Sequence, residues 1–346
     1  MEERSACHPS NSSCDCNFLY GYYDVGDRVV LGLIALPIIT FGICANLMSI
    51  RIFTNRIMLS STINWFLAAI SISDTIILCS AFCVWTLPRL GEYLMFWRAA
   101  YWSYMMDPMM LGLMTTGKTL SVYLMLGASV HRYIGVCHPY IASQLLPAER
   151  IIKLIVSIAI FSVLFNITRF LEVEVANVCY QINIDYKLPQ LWPTKLRENP
   201  TYILIFHGWT LTLIMFIIPF TLLIGFNCKV LHAVRKSRKA HMHGDENDDL
   251  YRREKRKERK TSIMLVAVVM QFLTCHSLSF VCDILENLGV DKSSWGSLVT
   301  ANNFAVLVNS SLDIFIYILF SEKEKTSTFK ALLFLRVYSL YVLIKH

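Results

Sequence analysis

The chain has 346 residues, 55% of them apolar and 16% charged, with a formal charge of +7. That apolar excess excludes an ordinary soluble domain, and the low glycine and proline content argues against low-complexity disorder. The eleven cysteines are scattered, many inside apolar runs and none in a CxxC pair, which excludes a zinc module.

Residues 1–28 are polar, carry Cys7, Cys14 and Cys16, and hold no apolar signal-peptide core. Asn11-Ser12-Ser13 is a glycosylation sequon if this end is extracellular. Seven apolar runs follow, at about 29–53, 63–87, 106–130, 151–170, 203–227, 262–286 and 297–319. Each is near the ~20 residues a helix needs to cross ~30 Å of hydrocarbon. The third is interrupted by Asp107 and Lys118. The expected fold is an all-α membrane protein, a seven-transmembrane helix bundle.

The segments 51–62, 131–153, 228–261 and 320–346 hold 22 Lys and Arg, against nine on the opposite side. The positive-inside rule places the first group in the cytoplasm, leaving the N-terminus outside. Because the basic residues sit in loops, no nucleic-acid partner is expected. The third inner loop, 228–261, ends in a basic run from Tyr251 to Lys260. That run is a solvated helical extension or a contact for anionic lipid. His241 and His243 lack the further ligands a metal would need. Beyond 320, the stretch Phe329 to Ile344 is apolar but broken by Lys330 and Arg336. It reads as a short amphipathic helix on the inner leaflet, within a cytoplasmic tail 320–346.

Several motifs fall at fixed places on these runs. They are Asn46 in the first, Asp74 in the second, His131-Arg132-Tyr133 at the inner end of the third, Pro219 in the fifth, and Asp313-Ile314-Phe315-Ile316-Tyr317 in the last. Together they resemble the rhodopsin-like G-protein-coupled receptors over nearly the whole chain. Within that family the sequence looks most like invertebrate receptors for FMRFamide-type neuropeptides. The carriers are Val136-Cys137-His138-Pro139, Leu164 to Glu172, Cys275-His276, and Asn309-Ser310-Ser311 before Asp313. The chain also departs from the family pattern. His131 stands where the triplet's acid belongs, Asp313 and Ile314 replace the seventh-helix Asn and Pro, Leu278 replaces the sixth-helix Pro, and Asn227 replaces an inner Tyr. Asp107 occupies the third-helix position that usually holds a cysteine.

The resemblance implies roles. Arg132, with Tyr133, Asn227 and Tyr317, would couple to a heterotrimeric G protein when the sixth helix swings out. A lone Arg there also reads as a positive membrane anchor. Since His131 is not an anion, Glu258 is the expected partner of Arg132; it is otherwise one more solvated charge. Asp74, Ser121, Asn309, Ser310 and Asp313 match the positions at which family members hold a sodium ion, an allosteric modulator rather than a required cofactor. Lys118, one turn from Ser121, could instead reach Asp74, or line the ligand pocket. Asp283 and Glu286 share one face at the outer end of the sixth run, a cation-capturing pair or ordinary solvated charge. FMRFamide-type peptides carry a matching Arg before an amidated Phe. Asp107, Lys118, Glu172, Glu174, Trp209 and His276 complete the expected ligand site. Tyr101, Trp102 and Tyr104 fit an interfacial aromatic belt as well. The usual partner of Cys179 is missing, so it is expected to bond to Cys7, Cys14 or Cys16.

An enzyme is not expected, for Gly127-Ala128-Ser129 sits at a cytoplasmic helix end and no intramembrane aspartyl signature is present. A transporter would carry internal repeats, and none is visible. A chemosensory receptor for small molecules remains the alternative function.

Overall fold

The computed structural model describes residues 17–241, 249–287 and 295–320. Seven long helices dominate: α1 (Val25–Phe53), α2 (Ile63–Tyr93), α3 (Trp97–Cys137), α4 (Ala148–Leu171), α5 (Pro200–Lys236), α6 (Asp249–Asn287) and α7 (Gly296–Phe320). Among the described residues, six are long and apolar enough to cross a membrane, those of α1 to α5 and the Ser262–Leu285 part of α6. The α3 window has the lowest mean hydropathy, 1.2, as Asp107 and Lys118 foreshadow. The stretch beyond 320 expected to be amphipathic lies outside the described residues.

Prolines explain most of the departures from regular α-helix. Four described stretches widen into π-helix, and three of these are Arg28–Ile34, Phe82–Thr86 and Thr212–Ile217. Each of the three contains the residue four before a proline: Leu33 before Pro37, Val84 before Pro88, Met215 before Pro219. A proline lacks the N–H for that carbonyl, and its ring strikes it. A wider i→i+5 turn relieves both problems. Pro108 lies in α3 without such widening, and the π stretch Ile203–Thr210 has no proline to account for it. With Leu278 in place of proline, α6 runs as unbroken α-helix.

The helix α3 runs through the middle and packs on α2, α4 and α5, while α7 packs on α6, α1 and α2. The inner half of the core is built from Phe66, Leu67, Leu124, Met125, Val268 and Phe272, and a second cluster above it from Leu31, Ile77, Leu78, Trp85, Met114 and Leu307. Close approach requires glycine at Gly42, where a Cβ would stand 2.3 Å from the Ser311 hydroxyl of α7. The helix α4 is peripheral and turns Val156, Ile160, Val163 and Leu164 outward. In hydrocarbon those side chains need no protein partner.

The all-α expectation requires a correction on the outer face. Between α4 and α5 lies an antiparallel hairpin, β2 (Val173–Gln181) with β3 (Tyr186–Pro193). Val173, Val175 and Tyr186 suit a pleated surface, and Asp185 takes φ 51° in the turn, a region Asp tolerates. A short strand β1 (Asn17–Phe18) adds in parallel to β2. Local polarity could not announce this, because backbone pairing rather than side-chain pattern holds β1 in place.

Cys179 on β2 is disulfide-bonded, whereas Cys44, Cys79, Cys83, Cys137, Cys228, Cys275 and Cys282 are in no disulfide. Cys7, Cys14 and Cys16 lie outside the described residues. The β1–β2 register pairs Asn17 with Tyr180. Peptide mapping after non-reducing digestion is therefore expected to join Cys179 to a fragment that holds Cys7, Cys14 or Cys16; a free Cys179 thiol contradicts this.

Candidate functional site

At the outer face, two buried carboxylates organise the polar contacts. Glu92, at the end of α2, is 3% exposed. It accepts the backbone N–H of Tyr23 at 3.2 Å and pairs with Arg28 at 3.3 Å. Arg89, one turn earlier, pairs with Asp27 at 3.4 Å and lies over the Tyr23 ring at 4.3 Å. Asp27 also accepts the Thr300 hydroxyl of α7. Tyr20 and Tyr23 both meet the Tyr104 hydroxyl, at 3.1 and 3.3 Å. Residues 17–28 are thus strapped across the mouth between α1, α2, α3 and α7. Tyr104, which reads in sequence as an interfacial aromatic, belongs to this strap.

The second carboxylate, Glu172, follows the 3-10 turn Ile167–Leu171 and is also 3% exposed. It accepts from Arg169 at 3.0 Å, from the Tyr202 hydroxyl at 2.7 Å, and from His207 Nε2 at 3.0 Å. Burial alone would raise its carboxyl. The His207 hydrogen bond, the Arg169 charge and the Tyr202 hydroxyl outweigh burial and hold it at about 2. An ionised carboxylate only accepts, so His207 carries its proton on Nε2. The expected ligand residue Glu172 is thus engaged in tying α4 to α5. Glu174 is exposed on β2, and Trp209 is 65% exposed on α5.

A cavity of about 320 Å³ opens beside this cluster. Arg169, Arg197, His207 and Asp283 supply its polar lining, and Pro200, Ile203, Leu204 and Leu211 its apolar wall. Lys118 lies deeper, with its ammonium 5.2 Å from the Trp85 ring. Its attractive charge interaction is with Asp283. Below it the buried His276 stacks on Phe272 at 4.1 Å and meets the Phe272 carbonyl through Nδ1 at 3.1 Å. Asp107 is half-buried on α3, and its charge reaches Tyr23. Lys118 is not among the residues that line the cavity; its ring contact is with Trp85 and its attractive charge partner is Asp283.

Midway down, Asp74, Ser121, Asn309, Ser310 and Asp313 are all buried, at 1, 3, 5, 1 and 4% exposed. Asp74 and Asp313 lie close enough to interact electrostatically. Asn46 donates to the Gly42 and Ser310 carbonyls at 2.9 and 2.7 Å, which ties α1 to α7. Gln271 of α6 donates to the Asn309 carbonyl and to Asp313 Oδ1, both at 3.1 Å. Among the described residues, Asp74 Oδ1, Asn309 Oδ1 and Ser310 Oγ are buried without a well-aligned hydrogen bond, and the Ser310 hydroxyl lies near the Asp74 carboxyl. Such carboxylate, amide and hydroxyl oxygens form a hard donor set, which fits a small cation such as sodium.

At the inner end, His131 is buried and its Nε2 meets the Thr62 hydroxyl at 2.8 Å. Tyr133 bonds His138 at 3.0 Å and packs on Phe226. Asn227 donates to Ser129 at 3.1 Å, joining α5 to α3. The side chains of Glu258, Glu286 and Tyr317, and the whole of Asn11, lie outside those described. Sequence reasoning missed Gln271, Thr62, Glu92 and the tyrosine strap. Gln271 left a signal, a lone amide in an apolar run, whereas Glu92 looked like an ordinary loop acid.

Residues 45–317 match the sequence model of the 7 transmembrane receptor (rhodopsin family). The chain is 28% identical to the FMRFamide receptor of Drosophila melanogaster over 302 residues, 86% of this chain and 52% of the relative. It therefore spans about half the length of that protein. It is 26% identical to the probable G-protein coupled receptor frpr-1 of Caenorhabditis elegans, covering 90% of this chain and 84% of the relative. With FMRFamide peptide receptor frpr-18 of the same worm it shares 25% identity, over 84% and 66%.

Glu172→Gln keeps shape but removes the charge that Arg169 faces. Breaking a buried pair from one side costs on the order of 3–5 kcal/mol. The purified variant is expected to melt well below the wild-type protein in detergent at pH 7. Because the folded carboxyl is depressed, its contribution is complete above the usual Glu range near 4.5 and fades as pH falls toward about 2. The two melting curves should therefore converge on acidification; a constant difference down to pH 3 argues against the cluster.

Proposed function

The chain belongs to the rhodopsin family of seven-transmembrane receptors, and from that premise we propose that it binds an extracellular FMRFamide-like neuropeptide and activates a heterotrimeric G protein. The observation carrying the ligand class is that relatives aligned over 84% and more of the chain bear FMRFamide in their names. The outer cavity agrees with it in chemistry. An Arg side chain of the peptide would meet Asp283, with Glu286 on the same helix face, and its amidated Phe would descend toward Lys118 and His276. Guanidinium suits this role because it forks onto carboxylates, which an ammonium does not.

In this reading α7 is the seventh span, the N-terminus is extracellular and bears glycan at Asn11, and the tail is cytoplasmic in the plasma membrane. Arg132 is the coupling residue, with Glu258 its resting partner. A sodium ion would be held by Asp74, Ser121, Asn309, Ser310 and Asp313, where it would compensate two buried acids. The chain's own residues do the rest: Asn46 and Gln271 keep α1, α6 and α7 seated on that cluster.

Application of Phe-Met-Arg-Phe-amide to cells carrying the receptor is expected to activate a G protein, and Arg132→Ala to abolish the response at normal surface expression. No response to any Arg-Phe-amide peptide overturns the ligand class. Truncating one partner of a buried charge pair costs about 2–5 kcal/mol, and far less at an exposed rim. Asp283→Asn with Glu286→Gln should weaken the Arg peptide, while a citrulline peptide loses little further on that variant. Additive losses in this double-mutant cycle would separate the pair from the peptide Arg and turn attention to Asp107 or Glu174.

A further inference from the structure

The polar cluster in the middle of the bundle draws side chains from α1, α2, α3 and α7, which pack tightly together. The helix α6 reaches it through one described side chain, Gln271. Its amide has two N–H donors, and both are used: one on the Asn309 carbonyl, one on Asp313 Oδ1, each at 3.1 Å. Asp313 is buried, so losing that donor costs its oxygen more than it would at the surface. Gln271 lies toward the inner half of the α6 span, beside Phe272 of the inner core. Higher up, Ser279 donates to Asn302 at 2.6 Å, a second tie between α6 and α7. An outward swing of the inner end of α6 about its outer end leaves the Ser279 contact nearly in place and breaks the Gln271 contacts.

We infer that Gln271 is a positioning residue of the receptor, a latch that holds the inner half of α6 closed against Asn309 and Asp313 of α7. Asp313 is at once the acceptor of the latch and a member of the buried cluster, so Gln271 ties α6 to that cluster through α7. The latch rests on the reading of the chain as a G-protein activator only for what the opening does, and not for the opening itself. Losing two hydrogen bonds, one to a carboxylate, shifts a closed–open equilibrium by several-fold to roughly a hundredfold toward open.

The test is Gln271→Leu in the full-length receptor, with Gln271→Met as a second variant should leucine not reach the membrane. Two readouts are taken without ligand. One is the distance between spin labels on Cys137 and on Arg259→Cys, with the other exposed cysteines replaced by serine. The other is basal signalling at equal surface expression. The distance distribution is expected to lengthen, and the basal signal to rise at least several-fold. Asp313→Asn keeps an acceptor oxygen and should preserve the effect of Gln271→Leu, while Asp313→Leu should reduce it. Unchanged or shorter distances in both Gln271 variants overturn the latch, whatever ligand or G protein the receptor uses. Longer distances with no G protein responding leave the latch standing and overturn the G-protein reading instead.

Discussion

Two carboxylates in the middle of a hydrocarbon-spanning bundle, Asp74 and Asp313, set the constraint on which the rest depends. Lipid offers them no hydrogen bonds, and each unsatisfied polar group there costs several kcal/mol. Three further helices consequently converge on them. Asn46 brings in α1, and Gly42 allows the approach by leaving room for Ser311. Ser121 brings in α3 and Gln271 brings in α6. The buried oxygens still without a well-aligned hydrogen bond after this convergence are the ones that a cation would suit.

The outer face answers the same constraint differently. Its buried acids, Glu92 and Glu172, are each satisfied by chain that is not transmembrane or only just so. Arg28 and the Tyr23 backbone serve the first, and Arg169, Tyr202 and His207 the second. The result is an asymmetric mouth. The strap of residues 17–28 covers the side of α1, α2, α3 and α7, and the cavity with Asp283 opens toward α5 and α6. Both arrangements use carboxylates as hubs because each oxygen accepts more than one donor.

At the inner face the triplet departs from its family in a way that changes chemistry. His131 supplies no negative charge beside Arg132, and its contact with Thr62 is a neutral tie from α3 to α2. Two hydrogen bonds hold helices together there: Thr62–His131 ties the start of α2 to α3, and Asn227–Ser129 ties α5 to α3.

The sequence by itself determined the helices, the membrane and the family. Twenty-residue apolar runs and loop charge are local properties, and so are the motifs around Asn46, Asp74, Arg132 and Pro219. Three of the four described π-helical stretches also stand beside Pro37, Pro88 and Pro219. It also pointed to the right residues for the buried cluster, because an acid in an apolar run is conspicuous. What it left open was which partners those residues take. Lys118 could face Asp74 or the pocket, and its contact with Trp85 arises only from how α3 packs against α2. Glu172 reads as a ligand carboxylate until Tyr202 and His207, some thirty residues on, are folded against it. The β1 strand and the Glu92 strap join residues separated by 163 and 69 positions, as in Tyr20–Asn183 and Tyr23–Glu92. Side-chain periodicity reports which face of a helix is buried, but pairing across such distances is fixed only when the whole bundle packs.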